Sequence, residues 1–351
     1  MRQIISKALW IFEVDSFKKK CLKSARSFIS FVVNFVTQTP KLSSIYYAFV
    51  SRHFHNEHFA VISGISKNKS EIGNMGNFRR NIHRIEKGLI TFPAKPVFAE
   101  SCIIDTVQSL KILIKNSTDT DTIYWALGVL TTYFAKVTET ETILCAKKEF
   151  HQIKKSETDN FPTIYLASDR TRSNISFEDL FELNLQRRSV RYYQNKIVPR
   201  NLVEKAIKLA LQAPSACNRQ PFMFRIFDEP LLIREAAQLP IGANTFSDNM
   251  KMMIFIIGDL SNYFDERDKH LIYIDSSLAV MSFVLALETL GLSSCIINWS
   301  DIPANNKKLK LFLNLEKWEQ CVMSISVGYA DPLCGILSSV KKEYKNVIKY
   351  N

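Results

Sequence analysis

Short apolar runs set among helical patterns constrain this 351-residue chain more than any other feature. Met252 to Ile257 contains no polar residue at all, and Cys295 to Trp299 and Val322 to Val327 are also rich in apolar residues. Runs this short suit strands buried on both faces better than core helices. Phe222 to Phe227 alternates instead, as a strand with one wet face does. Around these lie helical stretches. One opens after Ser176, with Asp179 three residues on in a capping-box pattern. A second begins at Pro199, carries Leu202, Ala206, Leu209 and Ala213 as its apolar stripe, and stops at Pro214. A third is a long apolar helix over 273–290 that ends at Gly291. The pattern predicts a layered α/β or α+β domain from about residue 176.

Upstream of residue 176 the texture is mainly helical. Residues 1–60 interleave basic and aromatic side chains, and 101–115 and 121–136 repeat apolar residues at helical spacing. A Gly/Ser/Asn-rich stretch from Ser63 to Gly76 reads as a linker. The charged segment Arg79-Arg80-Asn81-Ile82-His83-Arg84-Ile85-Glu86-Lys87-Gly88 follows, with Gly88 as a helix stop. Two domains are expected, 1–175 mainly helical and 176–351 layered.

The formal charge of +12 is concentrated at one end. Residues 1–99 hold 16 of the 46 Lys/Arg but 5 of the 34 Asp/Glu. A basic N-terminal region suits peripheral contact with an anionic membrane, or is a solvated face. The apolar run Phe28–Val36 is too short to span a bilayer, and Thr37-Gln38-Thr39-Pro40 makes a poor secretory cleavage site. Seven scattered cysteines without C-x-x-C spacing fit a reducing cytosol. No metal-ligand spacing is present, the cluster His53, His55, His58 included. No nucleic-acid-binding motif accompanies the basic charge. Ser-His-Asp sets, P-loops and Gly-x-Gly-x-x-Gly are absent too, which leaves little room for hydrolase, NTPase or Rossmann chemistry.

Two blocks carry chemistry. Arg187-Arg188-Ser189-Val190-Arg191 packs three guanidinium groups and a hydroxyl into five residues, and guanidinium groups bind phosphate bidentately. Pro214-Ser215-Ala216-Cys217-Asn218-Arg219-Gln220-Pro221 places hydroxyl and amides on a kinked loop able to read the edge of a flat heterocycle. Together they suggest a phosphorylated ring as ligand.

In order and spacing these blocks, with Leu290 to Cys295, Ser326 to Pro332 and Lys341-Lys342, resemble the FMN-dependent nitroreductase family over residues 177–351. The resemblance implies an α+β fold, a nitroreductase-like mixed β-sheet flanked by helices, preceded here by a mainly α-helical domain. It implies that Arg187, Arg188, Ser189 and Arg191 hold FMN and that Lys341 or Lys342 reaches its phosphate. Pro214, Ser215 and Ala216 would pass under the flavin of a partner subunit, with Asn218 and Gln220 near its ring. Ser293 and Ser294 fall where the family approaches the ring with a glycine-containing turn, Ser293 replacing the glycine. Ala216 stands where a second serine is usual. The implied protein is a cytoplasmic homodimer with FMN at its interface, passing hydride from NAD(P)H to a small-molecule acceptor. Specialised dehydrogenase, dehalogenase or flavin-modifying chemistry on the same fold is the alternative within enzymes. A membrane- or partner-binding protein using the flavin fold as a dimer scaffold is the alternative outside them. The segment Arg79–Gly88 is similar to an extension on nitroreductase-like proteins associated with bacterial surface-polysaccharide synthesis.

Overall fold

The computed structural model describes residues 32–51, 53–153 and 164–351, which fall into two compact units, up to His58 and Phe59–Asn351. Residues 1–31 of the basic N-terminal region, Lys18-Lys19-Lys20 and the start of the Phe28–Val36 run included, lie outside the described residues. In the first unit, helix α1 (Pro40–Phe49) starts where the Thr39 side chain accepts from the Leu42 N–H at 3.2 Å, with Pro40 in its first turn. None of its residues is buried.

The second unit opens with a helical layer. Helix α2 (His55–Ser70) enters it at Phe59 and is followed by α3 (Met75–Leu89), α4 (Ile103–Asn116), α5 (Thr120–Lys136) and α6 (Glu141–His151). Asn74, Asp119 and Thr140 cap α3, α5 and α6, each accepting from the N–H three residues on. Phe78, Ile82, Leu110, Leu130, Tyr133 and Phe150 form the centre of this layer's own core.

Two glycines of this layer act differently from the sequence expectation. The stretch Ser63–Ser70 is helix rather than linker. Its Gly64 is needed because a Cβ there would stand 2.6 Å from the Leu260 carbonyl oxygen. Gly88 lies inside α3 rather than stopping it, because the Phe98 ring would meet any Cβ at 2.2 Å. Small residues at these sites mark close approach, which composition alone cannot separate from a turn signal.

Gly76 makes the second close approach between the layers, its Cβ position lying 2.6 Å from the Asn262 Cα. Gly76→Ala would gain about 1 kcal/mol in helix propensity but force two backbones apart, a typical cost of about 1–3 kcal/mol. Overpacking wins, so urea unfolding should give a lower midpoint at unchanged slope. A raised midpoint would show that the approach is looser than drawn.

The remaining elements build a sheet with two covered faces. Helices α7 (Phe177–Gln186), α8 (Arg200–Ala210), α9 (Pro230–Ala237), α10 (Leu271–Thr289) and α11 (Pro303–Leu313) surround four strands. These are β1 (Phe222–Phe227), β2 (Met252–Asp259), β3 (Ser293–Asn298) and β4 (Glu319–Gly328), ordered β1-β2-β4-β3. All strand pairs are antiparallel; an isolated Ser189–Ser294 bridge supplies the parallel component among the described residues. Alternate residues of β2 divide between two cores. Ile254 and Ile256 pack with α8 and α10, while Met253, Phe255 and Ile257 pack with α9 and α11. That explains the unbroken apolar run: both faces are dry. The stripe on α8 is Val203, Ala206 and Ala210, with Leu209 half exposed, so the predicted stripe is offset by about one residue. Helix α10 is long and apolar enough to cross a bilayer by composition. Its Ala279, Val280 and Phe283 instead line the core beneath the sheet.

Candidate functional site

The Arg187–Arg191 block follows α7, whose start is the capping box foreseen at Ser176: its hydroxyl accepts from the Asp179 N–H at 3.0 Å, and the Asp179 carboxylate accepts from the Ser176 N–H at 3.0 Å. Beyond Arg187 the chain is stapled to the sheet. The Val190 N–H donates to the Ser294 carbonyl at 3.0 Å, and the buried Tyr193 hydroxyl donates to the Val190 carbonyl at 2.7 Å and meets the Ser326 hydroxyl at 2.8 Å. Burial drives the Tyr193 phenol well above its ordinary pKa, so it stays a neutral donor. Asn249 completes the staple by bonding both backbone groups of Tyr193.

Held this way, Arg187, Arg188, Ser189 and Arg191 line a cavity of about 100 Å³ whose opposite wall is Leu337, Ser338, Ser339 and Lys341. Residues about 150 positions apart in sequence thus share one small space. No guanidinium of the three forms a salt bridge to a described residue. Their polar contacts are short-range, Arg188 to the Arg187 carbonyl at 3.1 Å and Arg191 to the Ser189 carbonyl at 3.3 Å. Four cations around one cavity repel each other and favour an anion. The buried Glu288 carboxyl lies in the same neighbourhood and bonds Gln186 weakly at 3.4 Å. Burial raises its pKa, and Arg187 opposes that rise. Lys342 does not line this cavity. Ser294 pairs with Ser189 through the parallel bridge, whereas Ser293 opens β3 opposite Gly328.

The second block forms a separate loop. Cys217, Asn218 and Gln220 take left-handed φ of 54°, 54° and 50°. For residues with a Cβ this costs about 1–2 kcal/mol each, so the surroundings must impose it. Inside the loop, the Gln220 N–H donates to the Ser215 hydroxyl and its amide to the Asn218 side chain, both at 3.1 Å. From below, the Asp275 carboxylate of α10 accepts the Ala216 N–H at 3.0 Å. From the helical layer, Arg79 donates to the Asn218 carbonyl at 2.6 Å and bonds the Thr122 hydroxyl, its guanidinium lying 5.2 Å from the Trp125 ring centre. Arg219, itself buried, turns away to Asp268 at 3.1 Å and stacks on Tyr263. Pro214, Ser215, Ala216, Asn218 and Gln220 therefore share one braced loop, and no described hydrogen bond links it to the arginine cavity of the same chain.

Arg79, Asp275, Glu288 and Tyr193 are neighbours of the candidate site that sequence reading misses. Arg79 stands in the conspicuous Arg79–Gly88 segment, but nothing local points it at residue 218. Asp275 had one signal, a carboxylate within an otherwise apolar helix. It is 2% exposed, and burial raises its pKa against the opposing Ala216 N–H and Arg219. A carboxyl raised on folding withdraws stability above its folded pKa and returns it as pH falls through that value toward the unfolded one near 3.9. Asp275→Asn should therefore gain on the wild type most at neutral pH, with the gap narrowing as the solution is acidified through the raised value. Unfolding curves at several pH values check this, and a gap independent of pH would contradict it.

Against known families, residues 185–244 and 232–329 match the nitroreductase family model. Among relatives, iodotyrosine deiodinase 1 of Sus scrofa is 26% identical over 181 residues, covering 43% of this chain and 61% of that protein. An Archaeoglobus fulgidus protein provisionally named NADH dehydrogenase/NAD(P)H nitroreductase is 27% identical over 158 residues, covering 43% of this chain and 86% of its own. Among solved structures, an FMN-dependent nitroreductase from Clostridium difficile R20291 aligns over 49% of this chain and 99% of its own, with 25% identity and a TM-score of 0.42.

Proposed function

The C-terminal half of this chain is a nitroreductase-family domain, and from that premise we propose that the protein is an FMN-dependent oxidoreductase passing hydride from NAD(P)H to a small-molecule acceptor. The observation that carries this reading is the cavity lined by Arg187, Arg188, Arg191 and Lys341, four cations that form no salt bridge among the described residues. The donor set fits a phosphate monoester: planar guanidinium forks, one ammonium and the Ser189 hydroxyl. When bound, FMN supplies the hydride chemistry. The residues around it bind, orient and exclude water.

Asn218 and Gln220, braced in their loop, would present amides to the ring edge, and Pro214, Ser215 and Ala216 would lie beneath the ring. In this reading they do so for the partner subunit's cofactor. Homodimer formation is supported by apolar side chains left exposed on α7 and α10, among them Phe177, Phe181, Ile274, Leu278 and Met281, and by the exposed tail residues Val340 and Tyr350. The division at 175/176, a cytoplasmic location and peripheral membrane contact through the basic N-terminal region belong to the same proposal. The deiodinase relative favours reductive dehalogenation as the second reading.

The test is direct. Purified protein should be yellow, and NADH or NADPH added anaerobically should bleach its flavin absorbance. Protein that stays colourless after mixing with FMN rules the reading out. Turnover of halogenated against nitroaromatic acceptors separates the two chemistries.

A further inference from the structure

The helical layer carries a second, larger cavity of about 570 Å³ that lies outside the arginine–lysine cavity and the loop at 214–221. Its floor is rigid. Asn68 donates to Asn74 at 3.1 Å and to the Ser261 carbonyl at 2.7 Å, and Asn77 donates to Asn68 at 2.7 Å. These amides are spent on one another and on holding α2 and α3 to the sheet-bearing layer.

The walls are different. Arg80 and Arg84 stand one turn apart on α3, and neither forms a salt bridge with a described residue. Like charges at this spacing repel and cost helix stability. Arg80 lies 4.6 Å from the centre of the Phe264 ring, and Arg267 lies 5.4 Å from the same ring centre. Burial and the neighbouring charges of Arg84 and Arg219 depress the Arg80 pKa, so an anion there would relieve repulsion already present. Asn81, Gln108 and Ser109 line the same space, their side chains making no hydrogen bond to another described residue. Of the cavity's carboxylates, Glu71 is engaged by Lys67 at 3.2 Å and by Asn74, which leaves Asp105 free to accept from hydroxyl groups.

We propose that this cavity binds a phosphate-bearing, hydroxyl-rich small molecule, with Arg80 and Arg84 on the phosphate and Asn81, Gln108 and Asp105 on the hydroxyls. Paired guanidinium groups suit a phosphate, free amides and one carboxylate suit alcohol donors and acceptors, and the Phe264 ring gives the ligand an apolar edge to lie against. A site at this place also gives the helical layer a task beyond bracing the loop through Arg79. The proposal does not depend on the flavin reading.

Calorimetric titration of the full-length protein with ribose 5-phosphate, inorganic phosphate and ribose tests it. Ribose 5-phosphate should bind saturably and more tightly than inorganic phosphate, with ribose alone giving no measurable heat. Arg84→Gln should raise the dissociation constant at least tenfold, and Ser109→Trp, which fills the cavity, should abolish binding while the thermal midpoint stays near the wild type. Arg187→Ala serves as the control for the other cavity: binding here should survive it. Absence of saturable binding, binding unchanged in both Arg84→Gln and Ser109→Trp, or loss only in Arg187→Ala would each overturn the proposal. Colourless protein that still binds ribose 5-phosphate would sink the flavin reading and leave this one standing.

Discussion

Arg187→Ala should weaken FMN binding by about 1.5–3 kcal/mol, a roughly ten- to hundredfold rise in dissociation constant. The size follows from the surroundings. Arg187 forms no salt bridge among the described residues, so its charged donors are available to a phosphate, and its attraction to the buried Glu288 carboxyl offsets part of its repulsion from the neighbouring cations. Stability of the apoprotein should therefore change little, as relief among the clustered cations and loss of the Glu288 attraction oppose each other. Arg187→Lys should recover part of the affinity, because an ammonium keeps the charge and loses the fork. Fluorescence quenching of FMN on titration reads the effect. An unchanged dissociation constant in Arg187→Ala would remove this residue from the site.

Arg79→Met is expected to act in the opposite manner, on the fold first and the ligand second. The guanidinium side chain is 11% exposed, bonds the Asn218 carbonyl and the Thr122 hydroxyl, and has Asp119 at 4.0 Å. The Asp119 pair is long and half in water, so it contributes little. The two charged hydrogen bonds matter more, and losing them should cost about 2–4 kcal/mol, the Met chain refilling part of the volume. The loop then loses the contact that opposes relaxation of Cys217, Asn218 and Gln220 from left-handed backbone, so FMN affinity should fall as well. Stability within about 0.5 kcal/mol of wild type would show that the guanidinium is not what holds the loop.

The two arginines also show which parts of the site are legible in a sequence. Arg187 belongs to a local block in which three guanidinium groups and a serine are adjacent, and their chemistry can be read without a fold. The capping box at Ser176 and Asp179 and the strand at Met252–Ile257 are similarly local, since each expresses a geometry repeated over a few residues. The Lys341-Lys342 pair stands out by type and order, but that Lys341 shares a cavity with Arg187 is a tertiary event. Arg79 could not be assigned: the acceptor it meets is 139 residues away, on a loop whose own conformation depends on the meeting. The helices at 141–151, 230–237 and 303–313 also escaped notice, being short segments whose burial is supplied by partners distant in sequence.

The glycines draw the same line. Gly64, Gly76 and Gly88 look like linker and stop signals, because a missing side chain has one spelling whether it serves a turn or a contact. Only the packed structure shows Leu260, Asn262 and Phe98 pressed against the three positions. The strands, the helical texture of the N-terminal part and the guanidinium cluster at 187–191 are legible without a fold, since periodicity and side-chain charge are local properties. The tertiary structure decided which cations share a cavity, what braces the left-handed loop and where the helical layer meets the sheet layer. Those depend on distances between residues far apart in the chain, which are set only when apolar surfaces leave water together.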